Sequence, residues 1–323
     1  MIFPDIEPAV FMPEQKAEAF SRKDEIMNSL DLKLLSYDLR TNTVDMIVEG
    51  KGGHIGGDMS VMEILVELYF DQMNVSPENW NDPDRDRFIM SKGHSVEALY
   101  SVLAAKGFFP IEQVISEFSK FGSKFIGHPN NKLPGIEMNS GSLGHGLPVS
   151  VGMALAGKMD KKDYRVYTVM GDGELAEGSV WEAAMAGNQY HLDNLCAVVD
   201  RNRLQISGNT EDVMGHDDLG ARFASFGWHV IQAEGNDIDD LHRAFEEAKA
   251  TKGQPSVVIA NTTKGCGSTV MENKAAWHHK VPTAEEYEQI MADFAARKEE
   301  VQRAGAACGW KEAVASADDA QNA

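Results

Sequence analysis

Residues 164–202 carry the clearest structural pattern of the chain: YRVYTVMGDGELAEGSVWEAAMAGNQYHLDNLCAVVDRN. The run 164–170 is short and rich in β-branched and aromatic residues, which is typical of a strand. It stops at GDGE, and apolar residues at helical spacing follow through residue 188. The nearly uninterrupted apolar run 195–200 suits a strand that is buried on both faces of a parallel sheet. The stretch therefore predicts a βαβ unit.

The same alternation continues on both sides of this unit. The runs 228–234 and 255–262 have the composition of strands, a helical pattern lies between them at 237–252, and RFIM at 87–90 is a short strand candidate. Alternation of this kind predicts an α/β fold with a doubly wound, mostly parallel sheet flanked by helices. In such folds the ligand-binding loops lie at the carboxyl ends of the strands.

Two helices are predicted upstream of the first strand. Apolar residues at three- and four-residue spacing indicate a helix that starts near Asp24. A glycine-rich break follows at 50–60, and a second helix is predicted at 61–70. Ser60 would be the N-cap of that helix, and Glu63 stands where a capping box needs an acid.

The composition excludes several classes of protein. The 323 residues include 30 basic and 50 acidic side chains, which gives a net charge of −20, and 43% of the residues are apolar. These values are typical of a folded globular protein. A protein that grips nucleic acid or an anionic membrane needs a basic face, so neither partner is expected. A local pocket for an anion remains compatible with this charge.

Cysteine usage and the N-terminus indicate the expected compartment. Cys196, Cys266 and Cys308 form no C-x-x-C pair, so they predict neither a disulfide framework nor a zinc knuckle. No run of 18 apolar residues is present, so no membrane span is expected. The N-terminus has no basic residue before Lys16 and no clean apolar core, which differs from a secretory signal. The expected location is the cytoplasm.

A magnesium site is predicted where two strands end. Asp172 lies between Gly171 and Gly173 at the end of one strand, and a carboxylate there would repel a phosphate unless a divalent cation lay between them. A GDG tripeptide alone is commonly a plain turn. However, Asn202 lies just past the end of the next strand, and adjacent parallel strands bring their carboxyl ends together. Asp172, Asn202 and a carbonyl such as that of Leu204 would give three protein oxygens, and two diphosphate oxygens and a water would complete six.

This arrangement resembles a known family. GDG followed at this distance by asparagine is similar to the diphosphate-binding motif of thiamine-diphosphate enzymes, and further segments resemble those of transketolases in the family's order over residues 24–282. These segments are GKGGHIGGDMS at 50–60 with His54, DRFIMSKGHSVEALYS at 86–101 with His94, FIGHPN with His128, GSLGHGLPVSVGMALA at 141–156, and NTTKGCGS followed by WHHKVP with His278.

The resemblance implies a cofactor and a set of site residues. The cofactor would be thiamine diphosphate with Mg²⁺, or Ca²⁺ or Mn²⁺ in its place. His128 would hydrogen-bond the hydroxyl and carbonyl oxygens of the donor sugar, and His54 and His278 would orient the substrate and handle its C3 hydroxyl proton. His94 would contact the cofactor diphosphate and the reacting centre. The implied cofactor-binding residues are His94, Gly141, Ser142, Leu143, Gly171, Asp172, Gly173, Glu174, Asn202 and His278.

Other polar residues near these motifs have weaker signals. Glu177 and Glu182 would either be a solvated helix face or, as the resemblance implies, join the two cofactor sites through a hydrogen-bond network at a dimer interface. Lys92 could contact a phosphate, but a solvated lysine before a turn is the expected role. His145 and His279 are expected to be ordinary loop residues.

The resemblance also implies a division of the enzyme between chains. The predicted organisation is an N-terminal arm at 1–23, a thiamine-diphosphate-binding domain at 24–282 and a helical, acidic tail at 283–323. The pyrimidine-binding and C-terminal domains of a transketolase have no counterpart here, so a partner of about 300 residues, in an α2β2 assembly that acts on sugar phosphates, would supply them. A subunit of a 2-oxo acid dehydrogenase or decarboxylase, and a non-catalytic cofactor-binding subunit, remain open alternatives.

Overall fold

A five-stranded parallel sheet forms the centre of the molecule. The computed structural model describes residues 27–307, so the predicted arm at 1–23 and the end of the predicted tail lie outside the described residues. The strand order is β1-β2-β3-β7-β6. Strands β4 and β5, of two residues each, form a separate antiparallel hairpin. The strands are β1 Arg87–Met90, β2 Val166–Gly171, β3 Leu195–Arg201, β4 Leu204–Gln205, β5 Gly208–Asn209, β6 His229–Glu234 and β7 Ser256–Asn261.

Helices cover both faces of this sheet. The helices are α1 Ser29–Gly50, α2 Ile55–Glu67, α3 Val96–Ala105, α4 Ile111–Glu117, α5 Gly146–Met159, α6 Gly178–Gln189, α7 Thr210–Met214, α8 Leu219–Ser225, α9 Ile238–Ala250 and α10 Ala284–Ala307. One apolar core lies between the sheet and helices α1, α2, α3 and α9, and a second core lies between the opposite face and α5, α6 and α8. The doubly wound parallel fold predicted from the sequence is therefore confirmed.

Helix α2 corrects one prediction. It begins at Ile55 rather than after Ser60, so Ser60 is not an N-cap, and its buried hydroxyl oxygen lies 3.0 Å from the Gly57 carbonyl oxygen. Gly56 and Gly57 lie within the helix and do not interrupt it. Close packing explains why position 56 is occupied by glycine. A Cβ at Gly56 would lie 2.6 Å from the carbonyl oxygen of Trp277, so only glycine lets the helix approach this segment.

Both ends of the described chain are helical and pack together. Helix α1 begins at Ser29, later than predicted, because Asn28 caps it by accepting from the Asp31 backbone N–H at 3.0 Å. Helix α10 buries Ile290 and Phe294 in a third apolar cluster with residues of α1 and α2. No described helix combines the length and the apolar character that crossing a membrane requires.

A buried ion pair joins α1 to α2. Both guanidinium nitrogens at the end of Arg40 donate to the Glu63 carboxylate, at 2.6 and 2.7 Å, and Arg40 Nη2 also donates to the Met59 carbonyl. Neither side chain is more than 7% exposed. Glu63 is therefore a buried anchor for Arg40, not the capping-box acid that the sequence pattern indicated.

We predict that Glu63→Gln lowers the free energy of unfolding by about 3–5 kcal/mol, because it leaves a buried guanidinium without its counter-charge. Glu49→Gln is the matched control, since Glu49 pairs with Lys120 at 3.0 Å on the surface, with both side chains about half exposed. That control should change stability by less than about 1 kcal/mol. Urea titrations of both variants measure the difference, and equal effects would contradict the anchoring role.

Candidate active site

The predicted metal ligands converge at the carboxyl ends of β2 and β3. Asp172 follows β2 and is buried, with Oδ1 accepting from the Gly173 N–H at 2.8 Å and Oδ2 from the Arg203 N–H at 2.6 Å. Asn202 directly follows β3 and is also buried, and its Oδ1 accepts from the Leu204 N–H at 3.1 Å. Because Arg203 follows Asn202 in the chain, its hydrogen bond to Asp172 holds the aspartate beside the asparagine loop.

Lys92 corrects the expectation of a solvated lysine. Its side chain is 1% exposed, and its ammonium is paired with the fully buried Asp200 at the end of β3 and donates to the Gly57 carbonyl at 3.0 Å. Asp200 also accepts from Ser60 Oγ at 2.7 Å and from the Thr262 hydroxyl. This ion pair therefore joins the ends of three strands to the first turn of α2.

Lys264 is a buried cation that the sequence patterns did not single out. Its ammonium donates to the Leu204 carbonyl and contacts His278 Nδ1, each at 2.9 Å. Burial and the nearby Lys92 lower the pKa of Lys264 to about 8. The carbonyl predicted as a metal ligand is thus already bound to a cation, and a metal ion at this oxygen would share it with the lysine.

The residues around Asp172 fit a divalent metal ion. Burial, and then the charge of Asp200, raise the pKa of Asp172 to about 6. Asp200 has Lys92 as its counter-ion, whereas no salt bridge to Asp172 occurs within residues 27–307. An anionic oxygen, an amide oxygen and a carbonyl oxygen in one place are the donors that Mg²⁺ prefers. The donor set therefore fits the predicted ion.

All four predicted histidines converge next to these loops. The ring centroid of His54 lies 5.3 Å from that of His94, 6.0 Å from that of His128 and 5.8 Å from that of His278, and the rings of His94 and His278 stack at 5.3 Å. His279 joins them, with its centroid 4.7 Å from that of His54, although the sequence indicated no role for it. Segments far apart in the chain thus form one imidazole cluster.

Burial disfavours the charged form of four of these imidazoles. Burial lowers the pKa of His54 to about 4, with His279 the next cause, and burial and Lys264 lower the pKa of His278 to about 3. Burial lowers the pKa of His94 well below its usual range and also lowers that of His128. A neutral imidazole has one N–H donor and one acceptor nitrogen, so each ring can both give and take a hydrogen bond. His54 Nδ1 is buried and has no hydrogen-bond partner.

The segment 141–144 lies against the cluster. Gly141 has a φ of 145°, and a Cβ there would lie 2.9 Å from the His128 ring, so this position requires glycine. Ser142 is exposed and Leu143 is half-buried, and their cofactor contacts stay predictions.

Glu174 braces the loops on the other side of this segment. It is buried and accepts from the Ser91 hydroxyl, from the Gly144 N–H at 2.8 Å and from the Gly171 N–H at 3.1 Å. These donors belong to three separate segments of the chain. The carboxylate therefore fixes the turn after β2 relative to the segment 141–144, and its role toward the cofactor stays a prediction.

The remaining predicted residues lie on the surface of the chain. Glu177 and Glu182 are exposed around the start of α6, which is compatible with a solvated face and with an interface between chains. His145 is exposed as well, and its Nδ1 lies 3.1 Å from the Leu143 carbonyl oxygen. The structure thus brings His279 into the site and leaves His145 outside the imidazole cluster.

Comparison with known proteins identifies the family. The model of the family described as "Transketolase, thiamine diphosphate binding domain" matches residues 33–323. The chain belongs to the transketolase family. This match confirms the family that the motifs indicated and supports thiamine diphosphate as its cofactor. The match extends beyond residue 282 and so does not test the domain boundary predicted there, which stays a prediction.

Relatives of the transketolase chain include subunits of similar length. The chain is 51% identical over 272 residues to one subunit of the apulose-4-phosphate transketolase of Phocaeicola vulgatus, covering 84% of this chain and 96% of the relative. It is 40% identical over 266 residues to the 6-deoxy-6-sulfo-D-fructose transketolase subunit SqwG of a Clostridium species, covering 82% and 96%. These relatives confirm that the chain is the N-terminal subunit of a split transketolase, and they do not favour the 2-oxo acid dehydrogenase alternative.

Solved transketolases share the fold. The transketolase of Campylobacter jejuni superposes with a TM-score of 0.74 at 26% identity, covering 86% of this chain and 48% of that chain. The sequence of human transketolase is 39% identical over 264 residues, covering 81% of this chain and 42% of the human protein. The chain thus spans less than half the length of these transketolases.

A buried carboxyl pair lies beneath the imidazole cluster of this transketolase. Asp58, on the first turn of α2, and Glu97, on the first turn of α3, are both fully buried, and Asp58 Oδ1 accepts from the Ala98 N–H at 3.1 Å. Burial raises the pKa of Asp58 to about 8, and burial and the charge of Asp58 raise that of Glu97 well above its usual range. Asp58 Oδ2 and both carboxylate oxygens of Glu97 are buried without a hydrogen-bond partner, so ionising both acids would place two negative charges in the core, and the pair favours keeping a proton. It joins the helix that follows His54 to the helix that follows His94.

We predict that this pair makes the protein less stable as the pH rises. In the unfolded chain both acids ionise near pH 4, whereas the folded pair resists ionisation, so the folded state binds more protons above that pH. Its contribution to stability is therefore complete in acid and is lost as the pH rises through the raised folded pKa. The variant Asp58→Asn/Glu97→Gln should show a flatter dependence of the unfolding free energy on pH.

Urea titrations between about pH 5 and 9 measure this difference. The control is Glu112→Gln, which removes an exposed acid and should keep the slope of the parent chain. Parallel profiles for the parent and the double variant would show that the buried pair is already ionised.

Proposed function

We propose that this chain, joined to a partner chain, transfers a two-carbon ketol unit from a ketose donor to an aldose acceptor. The observation that carries the proposal is the convergence of His54, His94, His128 and His278 beside Asp172 and Asn202. Buried neutral imidazoles next to a phosphate-and-metal site suit a polyhydroxylated substrate, because such a substrate presents many hydroxyl groups that both donate and accept.

Thiamine diphosphate with Mg²⁺ is the proposed cofactor. Asp172, Asn202 and the Leu204 carbonyl would hold the ion, and Lys264 and His94 would contact the diphosphate. The loop 141–143 would supply backbone N–H groups to it, and the glycines of the turn 171–174 would let the backbone approach it closely. When bound, thiamine diphosphate supplies a thiazolium that accepts electron density from the carbon–carbon bond being broken.

The protein's own part in the reaction is to bind, orient and move a proton. His128 would hydrogen-bond the hydroxyl and carbonyl oxygens of the donor. His54 and His278 would orient the sugar and accept the proton of its C3 hydroxyl, for which a neutral imidazole with a free nitrogen is required. Burial of the cluster keeps bulk water away from the proton transfer.

A second chain is needed to complete the site. The proposed partner, of about 300 residues, carries the pyrimidine-binding and C-terminal domains, and two copies of each chain form an α2β2 assembly. Glu177 and Glu182 would lie at an interface there and join the two cofactor sites. Support comes from the exposure of both glutamates and from relatives that are named as subunits.

The proposed donors are ketoses with a terminal anion. The relatives are named for apulose 4-phosphate and for 6-deoxy-6-sulfo-D-fructose, so a phosphate and a sulfonate are the two end groups to compare. The chain's net charge of −20 would not attract either anion by itself. Side chains of the partner would therefore bind the end group.

We predict that the isolated chain has no ketol-transfer activity and that co-expression with the partner restores it, because the partner supplies groups that activate the cofactor. The assay offers each named sugar as donor with an aldose acceptor, and pyruvate serves as the control donor. Full activity of the isolated chain would overturn the two-chain proposal. Release of carbon dioxide from pyruvate would favour a decarboxylase.

We predict that Asp172→Ala abolishes retention of Mg²⁺ and thiamine diphosphate by the assembled complex, because the ion loses the anionic ligand proposed for it. Asp163→Ala is the matched control, since its side chain is exposed and precedes the amino end of β2, at the edge of the sheet opposite the site. Gel filtration followed by metal and thiamine analysis gives the readout without an activity assay. Equal retention by both variants would place the ion elsewhere.

A further inference from the structure

A second cluster of metal-ligating side chains lies at the far end of α2. Ligand atoms of Glu67, Asp71 and His242 lie within 4.8 Å of one another, and within residues 27–307 this is the one such group of three or more histidines, cysteines or acids. His242 Nδ1 lies 2.9 Å from Asp71 Oδ2 and 3.2 Å from Glu67 Oε1. The cluster joins the end of α2 to α9.

A π-helical turn creates this arrangement. Residues Leu68–Gln72 continue α2 as a π-helix, a conformation that is rare and is frequent at functional sites. The wider turn brings Gln72 over Glu67, so that Gln72 Nε2 donates to Glu67 Oε1 at 3.0 Å and lies 3.3 Å from His242 Nδ1. Two carboxylates, an amide and an imidazole thus face one another.

The buried members of the cluster have unused ligand atoms. Glu67 is fully buried, and its Oε2 has no hydrogen-bond partner; Gln72 is also buried, and its Oε1 has none. Leaving buried polar atoms unpaired costs free energy, so each such atom indicates a missing partner.

We propose that Glu67, Asp71 and His242 bind one divalent transition-metal ion, of which Zn²⁺ is the best match. An imidazole among the ligands selects zinc-like ions over Mg²⁺ and Ca²⁺, which prefer oxygen ligands throughout. A half rotation of the Gln72 amide would turn its unpartnered Oε1 toward the ion as a fourth ligand. The ion would supply the positive charge that the buried Glu67 lacks.

This site is separate from the proposed cofactor site and does not rest on the ketol-transfer proposal. His54 precedes the first residue of α2 and Glu67 is its last, which at 1.5 Å per residue places them about 20 Å apart. The ion would therefore be structural, since it would fasten the π turn to α9. His242 is 54% exposed, so an ion can enter from solvent.

The test is zinc binding by the full chain that already carries excess Mg²⁺ and thiamine diphosphate. Zinc is titrated calorimetrically into the parent chain, into His242→Ala and into His229→Ala. His229 is the matched control, because it lies near α9 and pairs with the single carboxylate of Glu247 at 2.8 Å. Asp71→Asn is a second variant at the site, and the melting temperature without zinc checks that each variant folds.

We expect the parent chain and His229→Ala to bind one more equivalent of zinc than His242→Ala and Asp71→Asn. We also expect zinc to raise the melting temperature of the parent chain and of His229→Ala, but not that of His242→Ala or Asp71→Asn. Any zinc bound by the imidazole cluster would be the same in all four proteins, so it does not affect the comparison between variants. Equal stoichiometry and equal thermal shifts in all four proteins would overturn the proposal and leave the cluster as an imidazolium held between two carboxylates.

Discussion

The ion pair between Lys92 and Asp200 is the contact on which the site depends. Lys92 follows β1, Asp200 lies at the end of β3, and Thr262 follows β7, so a single buried carboxylate gathers three strand ends. The same pair reaches α2 through the Gly57 carbonyl and the Ser60 hydroxyl. Two residues after Asp200 the chain reaches Asn202, and two residues after Lys92 it reaches His94. Any shift of the pair would therefore move both the metal loop and the imidazole cluster.

Charge is distributed so that an acidic protein can accept an anion. The net charge is −20, yet at this edge of the sheet Lys92 offsets Asp200, and the buried Lys264 adds a positive charge. Burial weakens solvent screening, so a few local charges outweigh a larger number on the surface. The carboxyl pair of Asp58 and Glu97 keeps a proton and so adds less negative charge beneath the cluster. Local geometry thus counteracts the field of the whole molecule.

The strands and the metal loop could be predicted from the sequence because their signals are local. Apolar runs that end in glycine, aspartate or asparagine define β2, β3 and β7, and the spacing between Asp172 and Asn202 follows from adjacency of parallel strands. Transketolase motifs indicate four of the five clustered histidines. The fifth, His279, could not be predicted, since only the folded structure shows that its ring lies next to that of His54.

The burial of charged residues could not be predicted either. A lysine before a turn usually lies in solvent, whereas the counter-ion of Lys92 is 108 residues away in the chain. The sequence pattern also starts α2 at residue 61 rather than Ile55, because glycines signal a break unless a neighbouring segment packs against them.

A double-mutant cycle on Lys92→Met and Asp200→Asn, with unfolding free energies from urea titrations, tests the role of this ion pair most directly. If the pair holds the strand ends, each single variant loses about 3–5 kcal/mol, because each leaves a buried charge or a buried acceptor group unpaired. The double variant should then lose less than the sum, by about 2–3 kcal/mol. Losses that add within about 0.5 kcal/mol would contradict the account, because the two side chains would then act independently.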